Sequence, residues 1–330
     1  MSSKIKSIAE DAQVSTATVS RVLNGSTNVS PEMQTRVLRS IDKLGYQPNL
    51  IARSLRTNKT YVLGLVIPNI TNPFFTNIAR AVEDVALQAG YVVTIFSSDQ
   101  SITKEKRYLE LMCNRMVNGA LVAVCDSEKS DLSLLVQNNI PVVLIDRQLK
   151  DATFDRVMVD TNDGAYRAVE YLFKRGYRRI GMIAGPQNVS TAVDKVIGYQ
   201  RAISEHNLPL EDSLLVFGDY TEKSGIELGR QIFSQPQRPD AVIISNNLMT
   251  VGCYRVIQEY GFRIPHEIAI IGFDDINWAS LVTPPVTIID QPTYELGQSA
   301  IQFLLERIAG ISCEPRRKVL RTSMLIRGSA

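Results

Sequence analysis

The sequence has no uninterrupted apolar run approaching the roughly 18 residues that span a bilayer. Its longest runs, such as Tyr61–Ile67, have the length of buried strands. Behind the charges of Met1-Ser-Ser-Lys-Ile-Lys6 there is no long apolar stretch, so no secretory signal is expected. There are 4 cysteines (Cys113, Cys125, Cys253 and Cys313), widely scattered and without a close-spaced pair. That argues against a zinc site or a disulfide framework and for reduced thiols in a cytoplasmic protein. Histidine is limited to His206 and His266, and the patterns GxxxxGKS/T, HExxH and GxSxG are missing. Neither a metal, a cofactor nor a nucleophile–base set is expected, and the chain does not read as an enzyme.

What is present is ordinary for a globular protein, with 45% hydrophobic and 21% charged residues in 330. At roughly 150 residues per domain the length predicts about two domains, with three possible. The net charge of +2 conceals a split. Residues 1–60 hold 9 Lys/Arg against 4 Asp/Glu, whereas residues 61–330 hold 27 against 30. A small basic head on a mildly acidic body points to a head that meets a polyanion.

The head reads as three short helices. Ser7-Ile-Ala-Glu10 matches a capping box that opens a first helix ending near Gln13. Ser15 is a second N-cap, for a helix running to Asn24, with Gly25 at the left-handed C′ position. Ser30-Pro31 starts a third, with an apolar stripe of Val37, Leu38, Ile41 and Leu44 and a stop at Gly45. Two short helices joined by a tight turn make a helix-turn-helix. Val19, Val22 and Leu23 should face inward, and Thr16, Ala17, Ser20 and Arg21 outward. Small residues at the helix start allow close approach to a major groove, where Thr16 or Ala17 can touch a thymine methyl and Arg21 a guanine edge or a phosphate. A plain three-helix bundle with a solvated Ser/Thr face fits the same pattern. Tyr46–Thr60 then carries apolar Leu50, Ile51 and Leu55 beside Arg53 and Arg56. A helix over Leu50–Leu55, capped by Asn49, would be marginal alone. It is either a flexible linker or a hinge helix that folds against DNA and a partner subunit, with Leu55 as a minor-groove wedge.

Val14-Ser-Thr-Ala-Thr-Val-Ser-Arg-Val-Leu-Asn-Gly25, Leu44-Gly-Tyr-Gln-Pro-Asn49 and Ala52-Arg-Ser-Leu-Arg56 resemble the lactose-repressor (LacI) family in order and spacing. The resemblance implies a dimeric repressor that reads a palindromic operator. It implies that Thr16, Ala17 and Arg21 face bases, that Ser15, Thr18 and Ser20 help hold the backbone, and that Leu55 intercalates at the operator centre. Asn24, Asn49, Ala52, Arg53 and Arg56 complete the expected DNA-binding set. Position 17 is Ala, where some members carry a long polar side chain.

From Tyr61 onward, β-branched runs alternate with amphipathic stretches. The runs are Val62–Ile67, Tyr91–Phe96, Ala120–Val124, Val142–Ile145, Arg179–Ile183, Leu214–Val216, Ala241–Ile244, Ala269–Ile271 and Val286–Ile289. Between them lie helical patterns such as Ile78–Gln88, Lys104–Met116, Gly164–Lys174, Ile197–Glu205, Ser224–Ile232 and Met249–Glu259. The expected fold is therefore a small all-α helix-turn-helix head plus an α/β core of two doubly wound parallel-sheet subdomains. The expected domains are 1–47 (head), 48–60 (hinge helix or linker) and 61–330 (effector core). The core divides into an N-subdomain at about 61–161 and 291–322, and a C-subdomain at about 162–290 and 323–330. The core resembles that family's too, itself similar to periplasmic sugar-binding proteins.

Ligands in such folds sit at the carboxyl ends of strands. After the first strand comes Pro68-Asn-Ile-Thr-Asn72-Pro-Phe-Phe75, read as a loop whose aromatics suit the C–H face of a sugar. Phe74 and Phe75 equally suit a core. Asp146-Arg147 can accept from and donate to neighbouring hydroxyls. Resemblance to the ribose-binding type of pocket selects Asn72, Phe74, Phe75, Asp146, Arg147, Asn246, Asp274 and Gln291, with Tyr220 as an expected aromatic. Thr191, Lys195 and Asn247 complete the expected effector set. Two departures stand out: Lys195 replaces a usual Arg, and Asn247 a usual Asp. They make the site more positive than a neutral sugar requires, so a sugar acid or sugar phosphate is weighed beside a plain pentose. Asp275 is expected to cap the next helix rather than join Asp274 in a metal or catalytic pair, because adjacent residues at a strand end point apart.

The expected function is sequence-specific DNA binding and repression of carbohydrate-utilisation genes, by a homodimer that answers to a small sugar, sugar-acid or sugar-phosphate effector. Palindromic double-stranded operator DNA is the expected partner, and no membrane is. No heptad tail follows Ser329-Ala330, which favours a dimer over a tetramer. The alternatives are a sugar-binding module without a DNA role and a corepressor-activated global carbon regulator.

Overall fold

A computed structural model describes residues 2–23, 28–45, 60–114, 117–150, 153–275 and 277–330. The chain divides into two compact units, Met1–Thr60 and Tyr61–Ala330.

The described part of the first unit holds α1 (Ser2–Asp11), α2 (Thr16–Leu23) and α3 (Pro31–Lys43). Ile8, Ala9, Ala12, Val19, Val22 and Val37 form its core, with Ile41 packed against it. Ser15 Oγ accepts the Thr18 N–H at 3.1 Å and starts α2. Ser30 Oγ accepts the Met33 N–H, with Pro31 following, and starts α3. Gly45 adopts φ +56°, the left-handed stop the sequence calls for. Asp11 ties α1 to α3 by accepting from Ser40 at 2.7 Å and Lys43 at 2.6 Å.

Two expectations are corrected here. Helix α1 begins at Ser2, not at a capping box on Ser7, which lies inside the helix. Ile5, Ile8, Ala9 and Ala12 explain this, since their helical spacing feeds one apolar face into the core. Of the α3 stripe, Val37 and Ile41 face the core, whereas Leu38 and Leu44 are exposed.

The described residues of the second unit form two six-stranded sheets. The first uses β1 (Val62–Ile67), β2 (Val92–Ser97), β3 (Gly119–Val122), β4 (Val142–Ile145), β5 (Asp155–Val159) and β11 (Arg317–Leu320), in the order β11-β5-β4-β3-β1-β2, all parallel. The second uses β6 (Ile180–Ala184), β7 (Leu215–Phe217), β8 (Ala241–Ile244), β9 (Ala269–Phe273), β10 (Thr287–Asp290) and β12 (Ser323–Leu325), in the order β12-β10-β9-β8-β6-β7. Only β12 runs antiparallel to its neighbour there. Central strands are buried along their whole length, as parallel strands covered by helices must be.

Helices α4 (Pro73–Gln88) and α11 (Thr293–Ile308) supply Ile78, Val82, Leu296, Ile301 and Leu304 to one face of the first sheet. Helices α5 (Ile102–Cys113) and α6 (Ser133–Gln137) supply Leu109, Met112 and Leu135 to the other. In the second sheet, α7 (Thr161–Lys174) and α8 (Ser190–Glu205) bring Val169, Leu172, Tyr199 and Ile203 to one face. The other face takes Ile232 and Phe233 of α9 (Glu222–Phe233) and Met249, Cys253 and Val256 of α10 (Asn247–Glu259). The chain passes between the sheets three times, at β5 to α7, β10 to α11 and β11 to β12.

The sheets contain β5, β11 and β12 beyond the nine runs read from the sequence. Several helices start a turn or two earlier than their apolar pattern. The shift matters most for α4: Phe74 and Phe75 belong to its first turn rather than to a loop, with Asn72 as N-cap. No helix among the described residues is long and apolar enough to cross a membrane.

Candidate functional site

A cleft lies between the carboxyl ends of the two sets of strands, where ligands of such folds sit. The first sheet contributes Pro68, Asn69, Asn72, Phe74 and Phe75 after β1, Gln100 after β2, and Asp146 and Arg147 after β4. The second contributes Thr191 and Lys195 from α8, Tyr220 after β7, Asn246 after β8 and Asp274 after β9. Gln291, at the β10 to α11 crossing, closes the back.

The backbone is bent to aim these side chains. Asp146 (φ 63°), Tyr220 (φ 68°) and Asp274 (φ 67°) are all left-handed, a conformation non-glycine residues adopt at a cost of order 1–3 kcal/mol each. Phe74 and Phe75 meet edge to face at 5.0 Å. The Arg147 guanidinium sits 5.8 Å from the Phe75 ring centre and donates to Val124 O at 3.1 Å. Lys195 Nζ donates to Ser245 O at 2.8 Å and lies 4.5 Å from the Phe273 ring centre. Gln291 Nε2 donates to Asp274 Oδ1 at 2.5 Å.

Two carboxylates face two cations here, all buried. Burial pushes the Asp146 carboxyl up to about 6, against the opposing pull of Arg147 and Lys195. Burial also raises Asp274, against Lys195 and its hydrogen bond from Gln291. Burial lowers the Lys195 ammonium, against Asp274 and Asp146. Arg147 Nε and Gln291 Oε1 are buried without a hydrogen-bond partner among the described residues. Both residues line the cleft, and Arg147 Nε lies 3.7 Å from Asp146 Oδ2.

Hydrogen bonds join the two halves at the cleft's edges. Gln100 Nε2 donates to Asp219 O at 3.1 Å, and Asn247 Nδ2 to Asn72 Oδ1 at 2.8 Å. Ser127 N–H donates to Asn188 O at 2.8 Å, Ser190 N–H to Ser127 Oγ at 2.9 Å, and Asn188 Nδ2 to Asp126 Oδ2 at 3.0 Å.

Of the residues expected from sequence, Asn247 does not line the cleft but lies buried behind it. Pro68, Asn69 and Gln100 line it without having been singled out. Gln100 carries the same signal as the others, since it follows the end of a strand. Asp274 and Asp275 do point apart, but Asp275 is not a helix cap: its carboxylate pairs with Arg327 through two 2.8 Å hydrogen bonds. In the head, Thr16, Ala17 and Arg21 are exposed on α2, while Thr18 and Ser20 are half-buried. Thr18 Oγ1 bonds to Ser15 Oγ at 2.9 Å. Asn24, Asn49, Ala52, Arg53, Leu55 and Arg56 lie outside the described residues.

Residues 60–326 match the family model described as periplasmic binding proteins and sugar binding domain of LacI family. Residues 4–49 match bacterial regulatory proteins, lacI family. The chain belongs to the LacI family. It is a DNA-binding transcriptional regulator with a helix-turn-helix head and a sugar-binding-type core.

Similar LacI-family proteins align over nearly the whole chain. Catabolite control protein A of Priestia megaterium is 35% identical over 305 residues, covering 92% of each chain. The HTH-type transcriptional repressor PurR of Photobacterium profundum is 31% identical over 326 residues, covering 98% of each. A solved transcriptional regulator CelR–cellobiose complex superposes with a TM-score of 0.77 at 30% identity, covering 99% of each chain.

Proposed function

We propose that the protein is a homodimeric repressor of carbohydrate-utilisation genes whose operator affinity is set by a small neutral polyhydroxylated ligand in the cleft. The observation that carries this is the cleft's balance: Asp146 and Asp274 against Arg147 and Lys195, beside Phe74, Phe75 and Tyr220. A polyol both donates and accepts, so it can satisfy Gln291 Oε1 and Arg147 Nε together. Lys195 is committed to Ser245 O and the Phe273 face, which leaves little excess cation for an anionic group. The disaccharide named for the solved relative belongs to the same chemical class.

In this reading residues 1–47 bind DNA, 48–60 form the hinge and 61–330 form the core, with N- and C-subdomains divided at the three crossings. Thr16, Ala17 and Arg21 reach base edges, with Ser15, Thr18 and Ser20 on the backbone. Leu55 wedges the operator centre, and Asn24, Asn49, Ala52, Arg53 and Arg56 complete the DNA-binding set. Thr60 leads directly into β1, so a rotation of the first sheet on the second changes the spacing of the two hinge segments. Two identical heads require a palindromic site.

Calorimetry against D-ribose, D-gluconate and ribose 5-phosphate tests the ligand class. Binding of a neutral sugar with none of the acids supports it. Binding of the acids alone shifts the reading to a sugar acid or sugar phosphate, the class to which Lys195 and Asn247 point when taken by themselves.

A further inference from the structure

Asn247, the first residue of α10, does not line the cleft and retains only 1% of its exposure. Its Nδ2 donates to Asn72 Oδ1 at 2.8 Å, from the side of the second sheet to that of the first. The same Oδ1 accepts the Phe74 N–H at 3.0 Å as N-cap of α4. A carbonyl oxygen has two lone pairs, and both are now engaged. What the Asn72 carboxamide offers the cleft it lines is therefore its NH2 group. Turning that group over would set N–H against N–H at the cap and at Asn247 at once, so the orientation is fixed by two partners. The arrangement has a cost: Asn247 Oδ1 is buried with no hydrogen-bond partner among the described residues. A carboxylate at position 247 would instead place an acceptor against an acceptor.

We propose that Asn247 is a positioning residue that, by donating to the oxygen that also caps α4, fixes Asn72 so that only its N–H groups face the ligand, and does so only while the two sheets are together. The inference rests on the cleft being the effector site, yet its test uses no ligand, so the two can fail separately.

Thermal melts of the full chain are compared at pH 5 and pH 8 for wild type, Asn247→Asp and Asn247→Leu, each variant read as its difference from wild type. The charged groups facing position 247 are Asp274, whose carboxylate accepts the Asn247 backbone N–H, and beyond it Lys195, Asp146 and Arg147. An aspartate facing the Asn72 oxygen has its folded pKa raised, so its stability is present at low pH and lost as pH rises. At pH 8 Asn247→Asp should melt about 4 °C or more below wild type. At pH 5 its protonated O–H restores the donor, so its Tm deficit shrinks and its Tm lies above that of Asn247→Leu, which stays low at both pH values; recovery is complete only below the ordinary carboxyl pKa. Two results overturn the proposal. One is Asn247→Asp matching wild type at pH 8 and losing ground on acidification, which means that Asn72 turns its NH2 toward position 247. The other is recovery only to the level of Asn247→Leu, which means that repulsion from Asp274 rather than a lost donor sets the effect.

Discussion

The Tyr220 ring rests against the backbone of Gly185, at the end of β6, so closely that any Cβ at residue 185 would overlap it. Gly185 follows the end of a strand as other cleft residues do, and its missing side chain leaves the space that the Tyr220 ring fills. Gly185→Ala should displace Tyr220 and reduce sugar affinity at least tenfold by calorimetry. The fold should lose about 1–3 kcal/mol, typical of overpacking. Unchanged affinity would mean that the ring does not touch the ligand.

Asp155 at the start of β5 is fully buried beneath two arginines, bonded to Arg307 at 2.8 and 2.9 Å and to Arg316 at 2.7 Å. Burial alone would raise its carboxyl, but the hydrogen bonds from Arg307 and Arg316 prevail and hold it well below the usual carboxylate range. Because the folded pKa is depressed, the stabilisation is present above the ordinary carboxyl pKa and fades as pH falls below it. Asp155→Ala should cost on the order of 3–5 kcal/mol in urea denaturation at neutral pH, because it removes the carboxylate of Arg307 and one of the two that hold Arg316 at the β5–β11 edge. A loss under about 1 kcal/mol would show the cluster to be no more than a surface ion pair.

That cluster also shows why part of the fold escapes a reading of the sequence. Apolar runs reveal the central strands because both faces of each are covered. Strand β5 opens with Asp155-Arg156, β11 with Arg317-Lys318, and β12 is three residues long at a sheet edge. Their pairing depends on distant partners such as Arg307, which no local pattern contains. Position after a strand, together with resemblance to a ribose-type pocket, picked out Asp146, Tyr220, Asn246 and Asp274, which line the cleft. It failed for Asn247, one residue further on, because the start of α10 turns that side chain behind the cleft wall.

The Asp146 carboxyl, pushed up to about 6 by burial, accepts from ligand hydroxyls through both oxygens, and most strongly, only when ionised. Its folded pKa lies above the ordinary value, so ionisation costs the ligand-free fold stability as pH rises through about 6. Ligand affinity runs the other way. It should be full near pH 7.5 and fall several-fold at pH 5, and Asp146→Asn should bind more weakly but remove most of this slope. Calorimetry at the two pH values checks it, and a wild-type affinity independent of pH contradicts it.

In the head, Arg21 is exposed on α2 beyond the buried Val19 and Val22. Arg21→Ala should cost about 1–3 kcal/mol of operator affinity in a gel-shift titration. If Arg21 reads a base, specificity relaxes at one operator position; if it holds a phosphate, the salt slope falls by about 1. Leu55→Ala should weaken operator binding while leaving ligand binding intact, and equal operator affinity would refute the wedge.

Control of the head by the cleft is the property on which the proposed regulation turns. Its most direct measurement is operator affinity, on a palindromic duplex selected from a random pool, with and without a saturating sugar identified by thermal shift. Operator affinity should change at least tenfold in the wild type and not in Asp274→Ala, which removes a buried acceptor from the cleft. Equal operator affinity with and without bound sugar in the wild type would contradict it.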